Sequence, residues 1–440
     1  MILRRRQRIC RLQKTLTRDQ VQTNRIRNTH LSNGESTTSS KETATRFKPV
    51  LGRLSATAVS IGGIIGSGIF FILGMAAGDA GPAVILSLVM AGVIAIFTAM
   101  SFASLGSKIQ KEGGEYQFVY IAFGPQIGFI GGLFWVGSTA IAAITVSIAF
   151  AGYFTTLFPI LSPNIIAAMA CIGFMLIDVM GIRLSSLVNN ALVAVKVSVL
   201  VFFIVWGLFF VQPSNFQPFF GKGAGGILSA AFLIFFAYAG FGKITAASEE
   251  VKDAKKNVPW AILAAISVCT VLYIFSGFVA IGVAGADRLS SPEFSGAPFA
   301  HVMQLTGFGP AFLVVAIGAL TATASVLLIQ MLGISRTIYG MTSNRQMPSF
   351  LGKLHPRFRT PYRAEIIIGV LMAFGALVLS ASSVVSLTSL GILSYYALIN
   401  LASLRIKMEN GSPHSSYVVS ILGFVSSTLL VLYFLWTTFT

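Results

Sequence analysis

Between residues 54 and 438 the chain returns eleven times to an apolar stretch long enough to be a membrane crossing. A helix rises 1.5 Å per residue, so about 20 apolar residues cover a hydrocarbon core of ~30 Å. No water is available there, and each unpaired backbone N–H or C=O costs on the order of several kcal/mol. Only helices or a closed barrel avoid that cost. Barrel strands read as alternating segments of ~10 residues, and the sequence has none. The fold class that follows is all-α and polytopic. Charged residues make up only 10% of the chain, against about 25% in a soluble domain.

A hydropathy window of about 19 residues sets the spans near 54–77, 82–105, 117–154, 163–182, 186–211, 226–248, 259–284, 309–340, 363–381, 384–404 and 416–438. The third and eighth are overlong, and each is expected to hold an interfacial segment beside its crossing helix. Residues 1–50 are basic, then rich in Ser and Thr, and read as a disordered cytoplasmic tail. No apolar h-region before a cleavage site marks a secretory signal. Attraction to anionic membrane lipid is the simpler role for this tail; an Arg-rich organellar presequence is the sharper alternative.

Charge fixes the expected orientation. With a cytoplasmic N-terminus, 27 of the 31 Lys and Arg fall on the tail and the cytoplasmic connections, and only Lys222 and Arg288 on the external ones. The positive-inside rule therefore predicts a multi-pass protein of the cell membrane with its N-terminus inside. The net charge of +17 is spread over the tail and short loops, so no nucleic-acid partner is expected. Cys10, Cys171 and Cys269 form no CxxC pair, and the four histidines are far apart. No metal site, cofactor or catalytic cluster is predicted, and no GxxxxGK[ST] loop suggests ATP-driven transport. The chain reads as a non-enzyme.

Spans one and six carry glycine where a helix should be stiffest, in "GGIIGSGIF" and "FFAYAGFGKIT". Five spans separate them, so two repeats would enter the membrane from opposite sides. Interrupted helices at matching positions in two halves point to a secondary transporter of the inverted-repeat kind, with its site at the breaks. Unwinding at Gly66-Ser67-Gly68 frees amides at the positive end of a half-helix, which suits a carboxylate. The break around Gly240 frees carbonyls, those of Phe236 and Ala239, which suit an ammonium. Together they suit an amino acid zwitterion. The Gly62/Gly66 spacing also permits close helix packing, a commoner use of membrane glycine.

These stretches, with the loop "GGEYQFVYIAFG" and the continuation "KITAASEEVKDAKKNVPWAI", resemble the amino acid–polyamine–organocation superfamily from about residue 50 to about residue 405. The resemblance implies a five-plus-five inverted repeat, with repeats over 51–211 and 212–408, and an eleventh span within 409–440. Members usually carry twelve spans, so the C-terminus is expected to be shortened. The resemblance also implies that the Ser67 and Gly68 amides meet the carboxylate, and that the carbonyls of Ile64, Phe236 and Ala239 meet the amine. Phe236 is a candidate aromatic wall or gate.

Lys196 lies about ten residues into span five. An ammonium at that depth costs at least ~2.5–3.5 kcal/mol and should face the interior or cavity water. It is the candidate proton carrier, bridging to carbonyls of span one and to hydroxyls of span eight, Thr321, Thr323 or Ser325. The resemblance supports this, since proton-coupled relatives place a span-five lysine where sodium-coupled ones hold sodium. A permanently paired structural cation is the alternative. Lys243 departs from the family pattern: it is a candidate for the inner gate, or a partner of Glu249 or Glu250. Gly242 stands where some relatives carry an acid, which argues against cationic substrates. Asp178 is expected to pair with Arg183 at the interface. Glu115 reads as a solvated loop charge, or as part of a loop to which the resemblance gives a conformational role.

The expected function is secondary active transport of neutral amino acids, coupled to protons. A sodium-independent exchanger of the same fold is the alternative, and an ion channel the alternative outside transport. Nothing in the sequence fixes the amino acid or the oligomeric state.

Overall fold

The computed structural model describes residues 50–109, 114–181, 186–246, 248–409 and 415–440. The expected tail, Lys111, Glu112 and Arg183 lie outside these residues. Eight described stretches are long and apolar enough to cross a membrane. The first, Arg53–Lys108, covers 56 residues, ~84 Å if it were one rod, and it is interrupted twice. Helix α1 (Arg53–Ile64) ends where Ile65 adopts ψ 106°. The chain resumes as a π-helical turn over Gly68–Ile72 and continues into α2 (Leu73–Ala80). Gly81, at φ 63°, and a 3₁₀ turn then lead into α3 (Val84–Lys108). This stretch therefore supplies spans one and two.

Span three divides as expected into a short α4 (Tyr116–Phe123) and a long α5 (Pro125–Leu157), with Gly124 at φ 85° between them. Helices α6 (Pro163–Val179) and α7 (Ser186–Leu208) follow. Span six is α8 (Gly223–Tyr238), an unwound stretch, and α9 (Lys243–Ala246). Span seven is α10 (Ala254–Ala284), followed by two short helices, α11 (Ala286–Leu289) and α12 (Pro298–Gln304).

Span eight corrects an expectation. It is one continuous helix, α13 (Gly309–Ser343), of 35 residues. Its extra length lies within the helix, and the short segment precedes it as α12. The last three spans are α14 (Tyr362–Val378), α15 (Ala381–Glu409) and α16 (Ser415–Phe439).

The most extensive helix packings are α3 on α10, α5 on α13 and α6 on α14. Each joins a span to the one five later, as a five-plus-five repeat requires. The repeat also leaves a trace in the chain: Phe123-Gly124-Pro125 and Phe308-Gly309-Pro310 open the third span of each half. Proline fits there because the first turn of a helix needs no N–H from it.

Hydroxyl and amide pairs tie the crossing helices together inside the bundle. Thr145 and Thr388 lie 2.9 Å apart, and Asn400 donates to Thr98 at 3.0 Å. Helix α16 lies outside the repeat and docks on α15 and α3. Ser420 on α16 accepts from Lys407 at 2.9 Å, and Phe434 stacks on Phe232 with ring centres 4.0 Å apart.

Candidate functional site

The two interrupted spans cross at their breaks. A Cβ at position 68 would fall 2.2 Å from Ala237 Cα, so only glycine permits this approach. Gly240 is required twice over: its φ is 111°, and a Cβ there would fall 2.3 Å from the Gly63 carbonyl oxygen. The glycines of both breaks thus serve close packing as well as unwinding. Beside the crossing lies a cavity lined by Gly63, Ile64, Gly66, Ser67, Gly68, Phe236, Ala239, Gly240 and Lys243. Every sequence-predicted binding residue is on that wall.

At the first break the amides of Ser67 and Gly68 begin a new helix, with no preceding turn to accept them. Three carbonyls at the end of α1 are taken by side chains. Lys196 Nζ donates to the carbonyls of Gly62 and Ile65, both at 3.0 Å. The Tyr273 hydroxyl of α10 lies 3.0 Å from the Ile64 carbonyl and 3.1 Å from that of Ala237 and shares its one proton between them, so one hydroxyl joins the two breaks. The Ile64 carbonyl, expected to meet an amine, therefore keeps one lone pair free. At the second break Ala239 N–H donates to Phe236 at 3.0 Å, and Gly240 N–H to the Tyr396 hydroxyl at 3.4 Å.

Lys196 is buried, 1% exposed, and among the described residues its hydrogen bonds go to span one alone. The hydroxyls expected as further partners donate along their own helix: Thr321 to Ile317, Thr323 to Ala319, and Ser325 to Ala322. In a hydrocarbon layer that is the nearest acceptor for a helical hydroxyl.

Lys243 corrects the expected pairing with Glu250; the side chain of Glu249, the other expected partner, lies outside the described residues. Among the described residues the one ion pair within 4.0 Å is Arg405 with Glu409. Lys243 Nζ is buried with no hydrogen-bond partner and lines the cavity. Glu115, in the connection between spans two and three, is a correction as well. It is 7% exposed, far from solvated, and accepts from Trp135 Nε1 at 2.8 Å. Burial pushes its carboxyl up to about 7, opposed by that hydrogen bond and by the charge of Lys243. Asp178 is buried near the Glu365 carboxyl, and its expected partner Arg183 is outside the described residues.

One side of the crossing is sealed by aromatic rings. Tyr153 donates to the Phe70 carbonyl at 2.6 Å, Phe299 meets Phe70 edge-on at 5.4 Å, and Phe203 stacks on Phe299 at 4.3 Å. None of these four residues lines the cavity, which extends instead to Glu115, Lys243 and Gln330. Sequence reasoning missed Tyr273, Tyr396, Trp135 and Gln330. Tyr273 left a faint signal, a phenol in an apolar span that needs a partner once buried.

Broken helices crossing beside a cavity, in a five-plus-five bundle, define a polytopic membrane transporter. The family model for amino acid permeases matches residues 51–440, and the chain belongs to that family. The branched-chain amino acid permease BcaP of Bacillus subtilis is 31% identical over 385 residues, 82% of each chain. The methylthioribose transporter of the same bacterium is 29% identical, covering 84% of this chain and 83% of that one. Cationic amino acid transporter 4 of Mus musculus is 30% identical over 84% of this chain and 62% of its own length. Among solved structures, MhsT in complex with L-phenylalanine shares the fold at a TM-score of 0.65 and 15% identity, over 88% of this chain and 99% of that one.

Proposed function

We propose that the chain is a proton-coupled symporter of neutral amino acids in the cell membrane, working by alternating access with its N-terminus inside. The substrate carboxylate lies on the amides of Ser67 and Gly68. Its amine meets the remaining lone pairs of the Ile64, Phe236 and Ala239 carbonyls, in space left by Gly66 and Gly240. The carrying observation is that Lys196 Nζ donates to two carbonyls, Gly62 and Ile65, either side of the first break. A protonated lysine holds those carbonyls to α7; a neutral one has a weaker hold on them and frees α1 to move. Proton binding is thereby linked to the half-helix that carries the site. The aromatic seal lies on the external face in this orientation, so the cavity faces the cytoplasm.

The test uses the full chain in sodium-free proteoliposomes with labelled neutral amino acids. A gradient of one pH unit holds about 1.4 kcal/mol per proton, so one-to-one symport sustains about tenfold accumulation. Acid outside should drive that accumulation. Lys196→Ala should abolish it while leaving exchange of internal for external substrate. A sodium requirement, or proton-driven uptake that survives Lys196→Ala, refutes the coupling. Uptake that needs internal amino acid and ignores the pH gradient identifies an exchanger.

A further inference from the structure

Lys243 and Glu115 reach the same cavity from α9 and from the connection ahead of α4. The ammonium is buried with no hydrogen-bond partner. The carboxylate gives one oxygen, Oε2, to Trp135, while Oε1 takes no stated hydrogen bond among the described residues. The two groups feel each other's charge, yet they form no ion pair within 4.0 Å. Glycine creates the placement: a Cβ at position 242 would lie 2.6 Å from Glu115 Oε1. The Glu115 carboxylate therefore occupies the space that a side chain at 242 would fill.

A buried donor without an acceptor is costly to leave unsatisfied, and the Glu115 carboxylate offers an acceptor to the same cavity. They share a cavity without joining, so a ligand that brings an acceptor to Lys243 and a donor to Glu115 engages both. A primary carboxamide has that pattern, with its C=O towards Lys243 and its NH₂ towards Glu115. A cationic side chain would be desolvated against Lys243, an anionic one against Glu115, and an aliphatic one would leave both groups unpaired.

We propose that Lys243 and Glu115 together read the end of the substrate side chain, and that the cavity prefers amino acids ending in a carboxamide, glutamine and asparagine, over aliphatic and charged ones. This rests on the cavity being the amino acid site.

The test is titration calorimetry of the purified full chain at pH 8, where Glu115 is ionised, with glutamine, asparagine, leucine, glutamate and arginine. Glutamine should bind at least about tenfold more tightly than leucine, because a site built to hydrogen-bond rejects an analogue lacking the groups. Lys243→Ala should weaken glutamine by a similar factor and admit arginine, since Glu115 is then unopposed. Glu115→Gln should weaken glutamine and admit glutamate. Leucine binding as tightly as glutamine to the native chain overturns the inference, whether or not either variant folds. A ranking unchanged by both substitutions overturns it too. If none of the amino acids binds, the reading of the cavity falls first; if they bind in an order indifferent to 243 and 115, only the inference falls.

Discussion

The two breaks do the same geometric job with different chemistry. Around the first, the carbonyls of Gly62 and Ile65 are held by an ammonium, Lys196, and that of Ile64 by a phenol, Tyr273. Around the second, the side-chain partners among the described residues are neutral: Tyr273 on Ala237, Tyr396 under the Gly240 amide, and Thr245 on the Gly242 carbonyl at 2.6 Å. The charge at the second break, Lys243, faces the cavity and bonds to no backbone. A half-helix held by a protonated lysine can be released when that lysine loses its proton. One held by hydroxyls cannot, at any pH near neutrality. The first break is thus suited to coupling and the second to reading the substrate, although one repeat generates both.

The largest disturbance should come from forcing the breaks apart. Gly68→Ala places its new methyl 2.2 Å from Ala237 Cα, a backbone atom that cannot rotate away. Overpacking a core costs typically about 1–3 kcal/mol, and backbone against backbone belongs at the upper end. The expected outcome is a melting temperature several degrees lower in detergent and transport reduced to background in proteoliposomes. Wild-type stability and uptake in this variant would mean that the breaks do not work as a closely packed pair.

Tyr273→Phe separates the two jobs more gently. It removes the one hydroxyl proton shared by the carbonyls of Ile64 and Ala237, at about 1–3 kcal/mol for the buried bond lost. Binding should weaken about tenfold or more and the melting temperature should fall. The pH dependence of uptake should keep its shape, because the lost donor is neutral. A displaced pH profile would show that the hydroxyl joining the two breaks shares in proton coupling.

The breaks were readable because glycine is a poor helix former, and an apolar span has no reason to collect it except to unwind or pack closely. Lys196 was readable because one deep charge stands out from apolar neighbours. Glu115 was not, since "KEGGEYQ" has the composition of a solvated loop and only tertiary packing buries its last acid. Tyr273 was not placed because one phenol in a long span carries no periodic signal of what it will face. Span eight was misjudged because length alone does not distinguish a long helix, which tilts to fit, from a crossing helix with an interfacial piece. The paired Phe-Gly-Pro triplets are legible in the sequence alone, as an internal similarity that hydropathy does not register.

The smallest expected effect sharpens the contrast most. Tyr396→Phe removes the hydroxyl that accepts from Gly240 N–H at 3.4 Å, beyond the usual range for an N–H···O bond and correspondingly weak. The ring packs edge-on against Phe102 at 5.2 Å and tilted against Phe241 at 5.4 Å, contacts that phenylalanine keeps. The loss should be at most about 0.5 kcal/mol, roughly twofold in binding, with no change in pH dependence. Gly240 is held open by its own φ of 111° and by the Gly63 carbonyl pressed against it, and neither depends on the phenol. A loss of tenfold or more in calorimetry would show that the second break, like the first, depends on a side-chain partner for its backbone, and the asymmetry would then lie only in the charge of that partner.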